Sequence, residues 1–281
     1  MTEPTPRATT GPLLLADLSS PETGELLPTI DLVLLPVGAH EQHGPNIAVS
    51  TDTVAAEALC QAAAALVGPR VAVAPAIPWG ISWHHMRFPG TITLRPATLT
   101  ALLADIIGSL HAHGVQRVLV VNGHGGNTAA IASALEQIKQ ETEMPLLAAI
   151  FGYALIAEQA KRVLPPDAVG HAGGDEAAVV MAVAPQRAKP DAFTTPELTG
   201  RQADTAALLR QYGGLLARRY DEVTRNGATG DATAATAEAG RQILDGAAQR
   251  LAEIVAVVLR EASAADGDQP SRRSAAARPA G

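Results

Sequence analysis

The sequence predicts an α/β fold, a three-layer α/β/α domain with a mostly parallel central sheet. Short apolar runs alternate with helical patterns along the chain, and the runs are nearly continuous, as in strands buried on both faces. The composition agrees, because 281 residues with 47% hydrophobic side chains suffice for one large core. We expect a single domain over residues 12–264, with disordered ends over 1–11 and 265–281.

The first predicted elements are two strands with a helix between them. Ile30–Val37 is an almost unbroken apolar run, which indicates a buried strand. Thr53–Leu66 is Ala-rich and follows a Ser-Thr-Asp sequence at 50–52 that can cap a helix. Val71–Ala76 is the second strand, and this order is that of a βαβ unit.

The alternation continues through the rest of the chain. Thr98–His113 places leucines and isoleucines on one broad face, and Gly114 follows it as a terminator. The remaining predicted elements are the strands Arg117–Val121 and Leu146–Phe151 and the helices Asn127–Thr142, Tyr153–Val163, Asp175–Ala184, 203–222 and Thr236–Ala262.

The composition excludes several classes of protein. The net charge is −7, no basic stripe is visible and only 3% of residues are aromatic, so no nucleic-acid partner is expected. Cys60, the single cysteine, lies in an apolar helical pattern and excludes an intrachain disulfide or a cysteine zinc cluster. The sequence has neither a signal peptide nor an apolar stretch long enough for a bilayer, so we expect a cytoplasmic protein without a membrane partner.

Two carboxylates and a histidine gather after the first strand. Glu41 and His43 lie in the sequence Gly-Ala-His-Glu-Gln-His-Gly-Pro, and Asp52 begins the helix that follows. Imidazoles and carboxylates in a Gly-rich loop are the groups that hold catalytic divalent metals. Asp52 alone would be a helix cap, but beside Glu41 and His43 a ligand role is favoured, in which its carboxylate bridges two cations.

A second histidine motif, Asn-Gly-His-Gly-Gly-Asn over 122–127, follows the third strand and contains His124. Its glycines allow close approach of the backbone, and a competing interpretation is a phosphate-binding turn. The dinucleotide fingerprint fails, because Thr128 stands where its third glycine belongs, and no Gly-Lys-Ser/Thr sequence follows. Loops after neighbouring parallel strands converge at one edge of a sheet, so we predict that His124 is a metal ligand.

The segment His171-Ala-Gly-Gly-Asp-Glu176 supplies another histidine and two acids. His171 has only small neighbours, which suits a residue that transfers protons. Asp175 is explained by the favourable position of an acid at the start of a helix, whereas Glu176 is less well explained in this way.

Ser82 and His84 are candidate substrate-binding residues in the segment 79–90, where a structural role remains the alternative. Adjacent histidines point to opposite sides of an extended chain, so we expect at most one of His84 and His85 to reach the site. We expect His40 beside the site but not as a ligand.

Taken together, these motifs resemble the creatininase (creatinine amidohydrolase) family. The resemblance extends over about residues 15–260 and rests on ordered motifs. The matching segments are 36–45 with Asp52, 80–82, 88–91, 121–127, 171–176 and 230–240.

The resemblance implies a three-layer α/β/α fold and a metal-dependent hydrolase. Such an enzyme cleaves a carbon–nitrogen bond of a small amide, cyclic amide or short peptide with metal-activated water. Members are commonly homo-oligomers, some of them hexamers. By resemblance, two divalent ions (Zn, Mn or Fe) are expected, with His171 as the catalytic histidine and Asp52 as the bridging ligand. The expected metal ligands are Glu41, His43, Asp52, His124 and Glu176.

The chain also departs from the family pattern. True creatininases carry a glutamate ligand where Gly126 stands, and Glu176 is its natural replacement. A Trp-Asp pair that covers the substrate is matched here by Asp167 and Ala168, and Asn46 replaces a histidine. Creatinine is therefore not the expected substrate. Relatives with the Gly-Gly form include the mycofactocin-precursor peptidase and a formamide hydrolase, and the alternatives are such a peptidase, a sugar-ring hydrolase or an inactive metal-binding homologue.

Overall fold

Five parallel strands form the centre of the computed structural model, which describes residues 11–267. They lie in the order β1-β3-β2-β4-β5, which confirms the predicted α/β fold with a parallel sheet. The strands are β1 Leu13–Leu14, β2 Leu32–Val37, β3 Val71–Val73, β4 Arg117–Asn122 and β5 Leu146–Phe151.

Helices cover both faces of the sheet, as the apolar runs predict. The strand β2 is buried at every position, and alternate side chains serve two separate cores. Leu34 packs into the core beneath one helical layer, and Leu35 packs into the core beneath the other. The first layer holds α2 Thr51–Val67, α5 Gly152–Val163, α6 Gly174–Val183 and α8 Ala237–Gly267, and the second holds α3 Pro96–Ala112 and α4 Thr128–Thr142.

The order of the strands creates a natural binding edge. Because β3 lies on one side of β2 and β4 on the other, the chain leaves the carboxyl ends of these strands in different directions. Val37 pairs with Asn122 at the last position of the β2–β4 ladder, and the N–H of Gly123 donates to the carbonyl of Val37 at 2.8 Å. The loops that follow β2 and β4 therefore begin side by side.

Two elements and several boundaries differ from the sequence prediction. The edge strand β1 and the short helix α1, Ser20–Leu26, were not predicted. The helix predicted over 203–222 is confirmed at its start, but its predicted end is wrong, because α7 spans only Ala203–Gln211. Gly213 has a φ of 71°, which a right-handed helix does not allow.

Most residues at the two ends of the chain lie outside the range 11–267 that the structure describes. The disorder predicted for 1–11 and 265–281 lies mostly outside the described residues. Of these ranges the structure describes Gly11 and residues 265–267, and residues 265–267 continue α8. Within 11–267, none of the helices combines the length and the apolar character that a membrane span requires.

Candidate metal centre and active site

The five predicted ligands meet at the carboxyl edge of the sheet. The loop after β2 carries the first two, the first turn of α2 and the loop after β4 carry one each, and the first turn of α6 carries the last. All five side chains are buried, although each is ionisable, and isolated ionised groups are costly to bury. In order along the chain they are Glu41, His43, Asp52, His124 and Glu176.

Asp52 lies between two imidazoles, one on each carboxylate oxygen. Its Oδ1 is 3.3 Å from Nε2 of His43, and its Oδ2 is 3.3 Å from Nδ1 of His124. Glu176 Oε2 adds a carboxylate 3.6 Å from His43 Nε2, and Glu41 Oε2 adds one 3.3 Å from His124 Nε2. We call His43 with Glu176 the first half-site and Glu41 with His124 the second half-site, with Asp52 shared.

The outer nitrogen of each of these imidazoles is held by a backbone carbonyl. His43 Nδ1 lies 3.0 Å from the carbonyl of Glu41, and His124 Nε2 lies 3.0 Å from that of Ile81. A carbonyl oxygen only accepts, so these nitrogens donate to the main chain, and the inner nitrogens face Asp52. Metal-binding histidines are ordinarily oriented in this way.

Three polar atoms of the centre are buried without a hydrogen-bond partner among residues 11–267. They are Oε2 of Glu41, Nε2 of His43 and Oδ2 of Asp52. One ligand atom from each of these residues lies within 4.8 Å of the others, which is close enough to share a cation. Buried imidazole and carboxylate groups suit Zn²⁺ or Mn²⁺, so the donor set fits a divalent metal.

The charges of the metal-free centre are strongly perturbed. Burial alone would lower the pKa of His43, but the carboxylates of Asp52 and Glu176 raise it to about 10. Burial would also lower the pKa of His124, but the carboxylates of Glu41 and Asp52 raise it to about 9. Burial raises the pKa of Glu176. Protons thus neutralise the carboxylates where cations would otherwise do so.

Gly126 is required by the close packing around the second half-site. A Cβ atom at this position would lie 2.1 Å from the carbonyl oxygen of Ile81 and 2.4 Å from Nε2 of His124. A side chain therefore cannot be added without moving the carbonyl that orients His124. Glu176 places a carboxylate in the first half-site from the first turn of α6.

A cleft of about 220 Å³ opens onto the centre. His84 and His85 both line it, so the prediction that at most one of them reaches the site is wrong. These residues lie on one turn of 3₁₀ helix, Trp83–His85, where consecutive side chains are not opposed as they are in an extended chain. Ser82 is fully buried and contacts Nε2 of His124 at 3.3 Å, outside the lining of the cleft.

His171 lies at the inner wall of the cleft. Its Nε2 is 2.8 Å from the carbonyl of Gln42, so by the same argument Nδ1 carries the lone pair. That Nδ1 lies 3.5 Å from Oε1 of Glu41. Burial, reinforced by His43 and His85, holds the pKa of His171 well below its usual range, which makes the ring a neutral proton acceptor in the metal-free protein.

Gln42 was not predicted, although it stands between two predicted ligands. Its Oε1 accepts from the N–H of Gly44 at 2.8 Å, which fixes the orientation of the amide. Its Nε2 then lies 2.8 Å from Nδ1 of His85 and 3.1 Å from the carbonyl of Gly227. The amide nitrogen also lies 3.0 Å from Nε2 of His171. Because an amide N–H only donates, Nδ1 of His85 accepts, and the Nε2–H of His85 is directed at Glu41, 3.5 Å away.

Two tyrosines of the cleft were also missed. Tyr220 stacks on His85 with ring centroids 4.0 Å apart, and it reaches the cleft because the chain turns back after α7. Tyr153, in the first turn of α5, donates to Oδ2 of Asp175 at 2.8 Å. The second oxygen of Asp175 accepts from the N–H of Gly170 at 3.2 Å, so Asp175 supports the loop rather than facing the metal centre.

Comparison with known proteins identifies the family. The family model described as creatinine amidohydrolase matches residues 16–255. The chain belongs to the creatininase family. The predicted resemblance to this family is thereby confirmed. As a member of the creatininase family, the protein is a hydrolase that acts on carbon–nitrogen bonds.

Individual relatives differ in how much of the chain they match. The mycofactocin precursor peptide peptidase of Mycolicibacterium smegmatis is 32% identical over 244 residues, which are 83% of this chain and 90% of that protein. The creatinine amidohydrolase of Pseudomonas putida is 34% identical over 115 residues, 39% of this chain and 44% of that protein. A solved structure described as creatininase Mn superposes with a TM-score of 0.74 at 24% identity, covering 87% of this chain and 97% of that one.

Proposed function

We propose that this creatininase-family hydrolase is a two-metal amidohydrolase. The observation that carries the proposal is the position of Asp52, with one carboxylate oxygen 3.3 Å from His43 and the other 3.3 Å from His124. The first half-site, His43 with Glu176, and the second, Glu41 with His124, would each hold one divalent cation, Zn, Mn or Fe. Such cations polarise an amide carbonyl and lower the pKa of water towards about 7.

The residues around the centre would then move protons and exclude solvent. His171 would accept a proton on Nδ1 and deliver it to the departing nitrogen of the amide. Gln42 would keep His171 and His85 in fixed orientations, because it contacts both rings. His84 and Tyr220, which line the cleft, would contact the substrate, and Ser82 would support the ring of His124.

The substrate we propose is a small amide, a cyclic amide or a short peptide. A precursor-peptide peptidase is the favoured member of this group, because the relative from M. smegmatis with that activity covers most of both chains. The glycine pair at 125–126 supports a substrate other than creatinine, since the packing around Gly126 leaves no room for a glutamate. The family resemblance supports a homo-oligomer, which light scattering would test.

One experiment separates this proposal from an inactive metal-binding homologue. The purified protein is freed of metal, reloaded with Zn²⁺ or Mn²⁺, and assayed on creatinine, formamides and short peptides. We expect turnover of at least one amide only after reloading. Asp52→Ala and His124→Ala should lose bound metal and turnover while keeping the fold, whereas His113→Ala, an exposed histidine beyond α3, should keep its metal. Metal binding without turnover of any amide would favour the inactive homologue.

A further inference from the structure

Ala172 has a backbone conformation that residues with a side chain rarely adopt. Its φ is 55°, in the left-handed region, although it carries a Cβ atom and is fully buried. It is the third residue of a turn closed by a hydrogen bond of 2.8 Å from Gly173 N to the carbonyl of Gly170. Strain of this kind persists only where neighbouring groups hold it in place.

Hydrogen bonds hold both sides of Ala172. Its N–H donates to Oε2 of Glu176 at 2.6 Å, and its carbonyl accepts from Nδ2 of Asn46 at 2.7 Å. Asn46 is fully buried, and its Oδ1 accepts from the N–H of Thr194 at 3.1 Å, which fixes the amide orientation. The left-handed conformation of Ala172 therefore lies between an asparagine of the β2 loop and a carboxylate of the first half-site.

We infer that Asn46 is a positioning residue that holds Ala172 in the left-handed region and so aims the carboxylate of Glu176 at the first half-site. The inference rests on the proposed function. Asn46 follows His43 by three residues, so one loop supplies a ligand of this half-site and also the clamp for the other ligand. Since His171 precedes Ala172 in the same turn, the clamp also holds the backbone from which the proposed proton carrier projects.

The first test is the zinc affinity of Asn46→Ala, measured by competition with a chromophoric chelator. Loss of a group that orients a ligand typically costs about 10–100-fold in metal affinity or activity. We expect that loss at one of two zinc sites, with the affinity of the other unchanged. With an amide substrate, kcat should fall by a similar factor while KM stays within about threefold.

The second test asks whether Asn46 acts through the backbone of Ala172. Glycine adopts positive φ without strain, so the clamp matters less in an Ala172→Gly background. Asn46→Ala is therefore measured in both backgrounds as a double-mutant cycle. We expect its effect on zinc affinity to shrink to within about threefold when residue 172 is glycine. An equal loss in both backgrounds would mean that Asn46 acts only by filling space, and would overturn the inference.

Controls separate the inference from the proposed function. Thr199→Ala removes a hydrogen bond to the carbonyl of Glu222, on a loop without proposed ligands, and should leave both zinc affinities unchanged. If Asn46→Ala does not fold, Asn46→Ser takes its place, because serine is too short to reach Ala172. If the Asn46 variant binds zinc as tightly as the wild-type protein, the inference is overturned and the proposed function is not affected. A wild-type protein that binds no zinc overturns the proposed function and the inference with it.

Discussion

Nε2 of His171 lies 2.8 Å from the backbone carbonyl of Gln42, and this contact decides which nitrogen of the ring serves the cleft. Because the carbonyl can only accept, the proton is on Nε2, and Nδ1 faces Glu41. His43 and His124 are arranged in the same way, each with one ring nitrogen on a backbone carbonyl. The main chain thus accepts one N–H from each of three imidazoles of the centre.

His171→Ala should lose turnover without losing metal. This prediction follows from the proton-transfer role proposed for the ring, which lines the cleft with its Nδ1 3.5 Å from Oε1 of Glu41. A group that transfers a proton typically contributes about 10²–10⁴-fold in rate. We expect kcat to fall by this factor, one limb of the pH profile to disappear and the metal content to stay at the wild-type value. A parallel loss of metal and activity would make His171 a ligand, with His84 the next candidate for proton transfer.

Glu176→Gln should reduce the metal content from two ions per chain to one. Glu176 is the carboxylate of the first half-site, and its Oε2 lies 3.6 Å from His43 Nε2. The matched control is Asp175→Asn, since the neighbouring carboxylate binds Tyr153 and Gly170 and should not affect the metal count. Elemental analysis of both variants tests this. A wild-type protein that is fully active with one metal would contradict the two-metal centre.

The sequence predicted those parts of the site that local patterns determine. Strand ends and Gly-rich loops place Asp52 and His124 at one edge of the sheet, whatever the detailed packing. Tyr220 could not be predicted, because its position in the cleft depends on the course of the chain after α7. The periodicity of the sequence does not reveal that course. The position of His85 could not be predicted, because adjacent side chains oppose each other in an extended chain, whereas this segment is a 3₁₀ turn. The backbone carbonyls that orient the imidazoles are equally invisible, since every residue has one.

Metal uptake should release protons and should tighten as the pH rises. In the metal-free protein, burial alone would lower the pKa of His43 and His124. The surrounding carboxylates outweigh burial and raise the pKa of His43 to about 10 and that of His124 to about 9. Both rings are therefore protonated at pH 7, and a metal binds only the neutral imidazole. Calorimetry of zinc binding in buffers of different ionisation enthalpy should show net proton release. Affinity that is flat between pH 6 and about 9 would contradict protonated ligands.

Gly126→Ala should damage the second half-site, and Gly125→Ala should not. At position 126 an added Cβ would lie 2.1 Å from the carbonyl oxygen of Ile81, the group that orients His124. At position 125 the nearest atom would be Phe151 Cζ at 3.8 Å, an ordinary contact. Overpacking of this kind typically costs about 1–3 kcal/mol of stability.

The comparison between the two glycines uses thermal unfolding and metal content. Gly126→Ala should unfold at a lower temperature and lose one metal, because the carbonyl of Ile81 must move and His124 loses its support. Gly126→Glu should behave no better, since its Cβ meets the same carbonyl before the carboxylate can reach a cation. A Gly126→Glu protein that keeps both metals and gains turnover of creatinine would show that the backbone around Ile81 and Gly126 moves at little cost in stability. In that case specificity would depend on the side chain at position 126 and not on the packing beneath it.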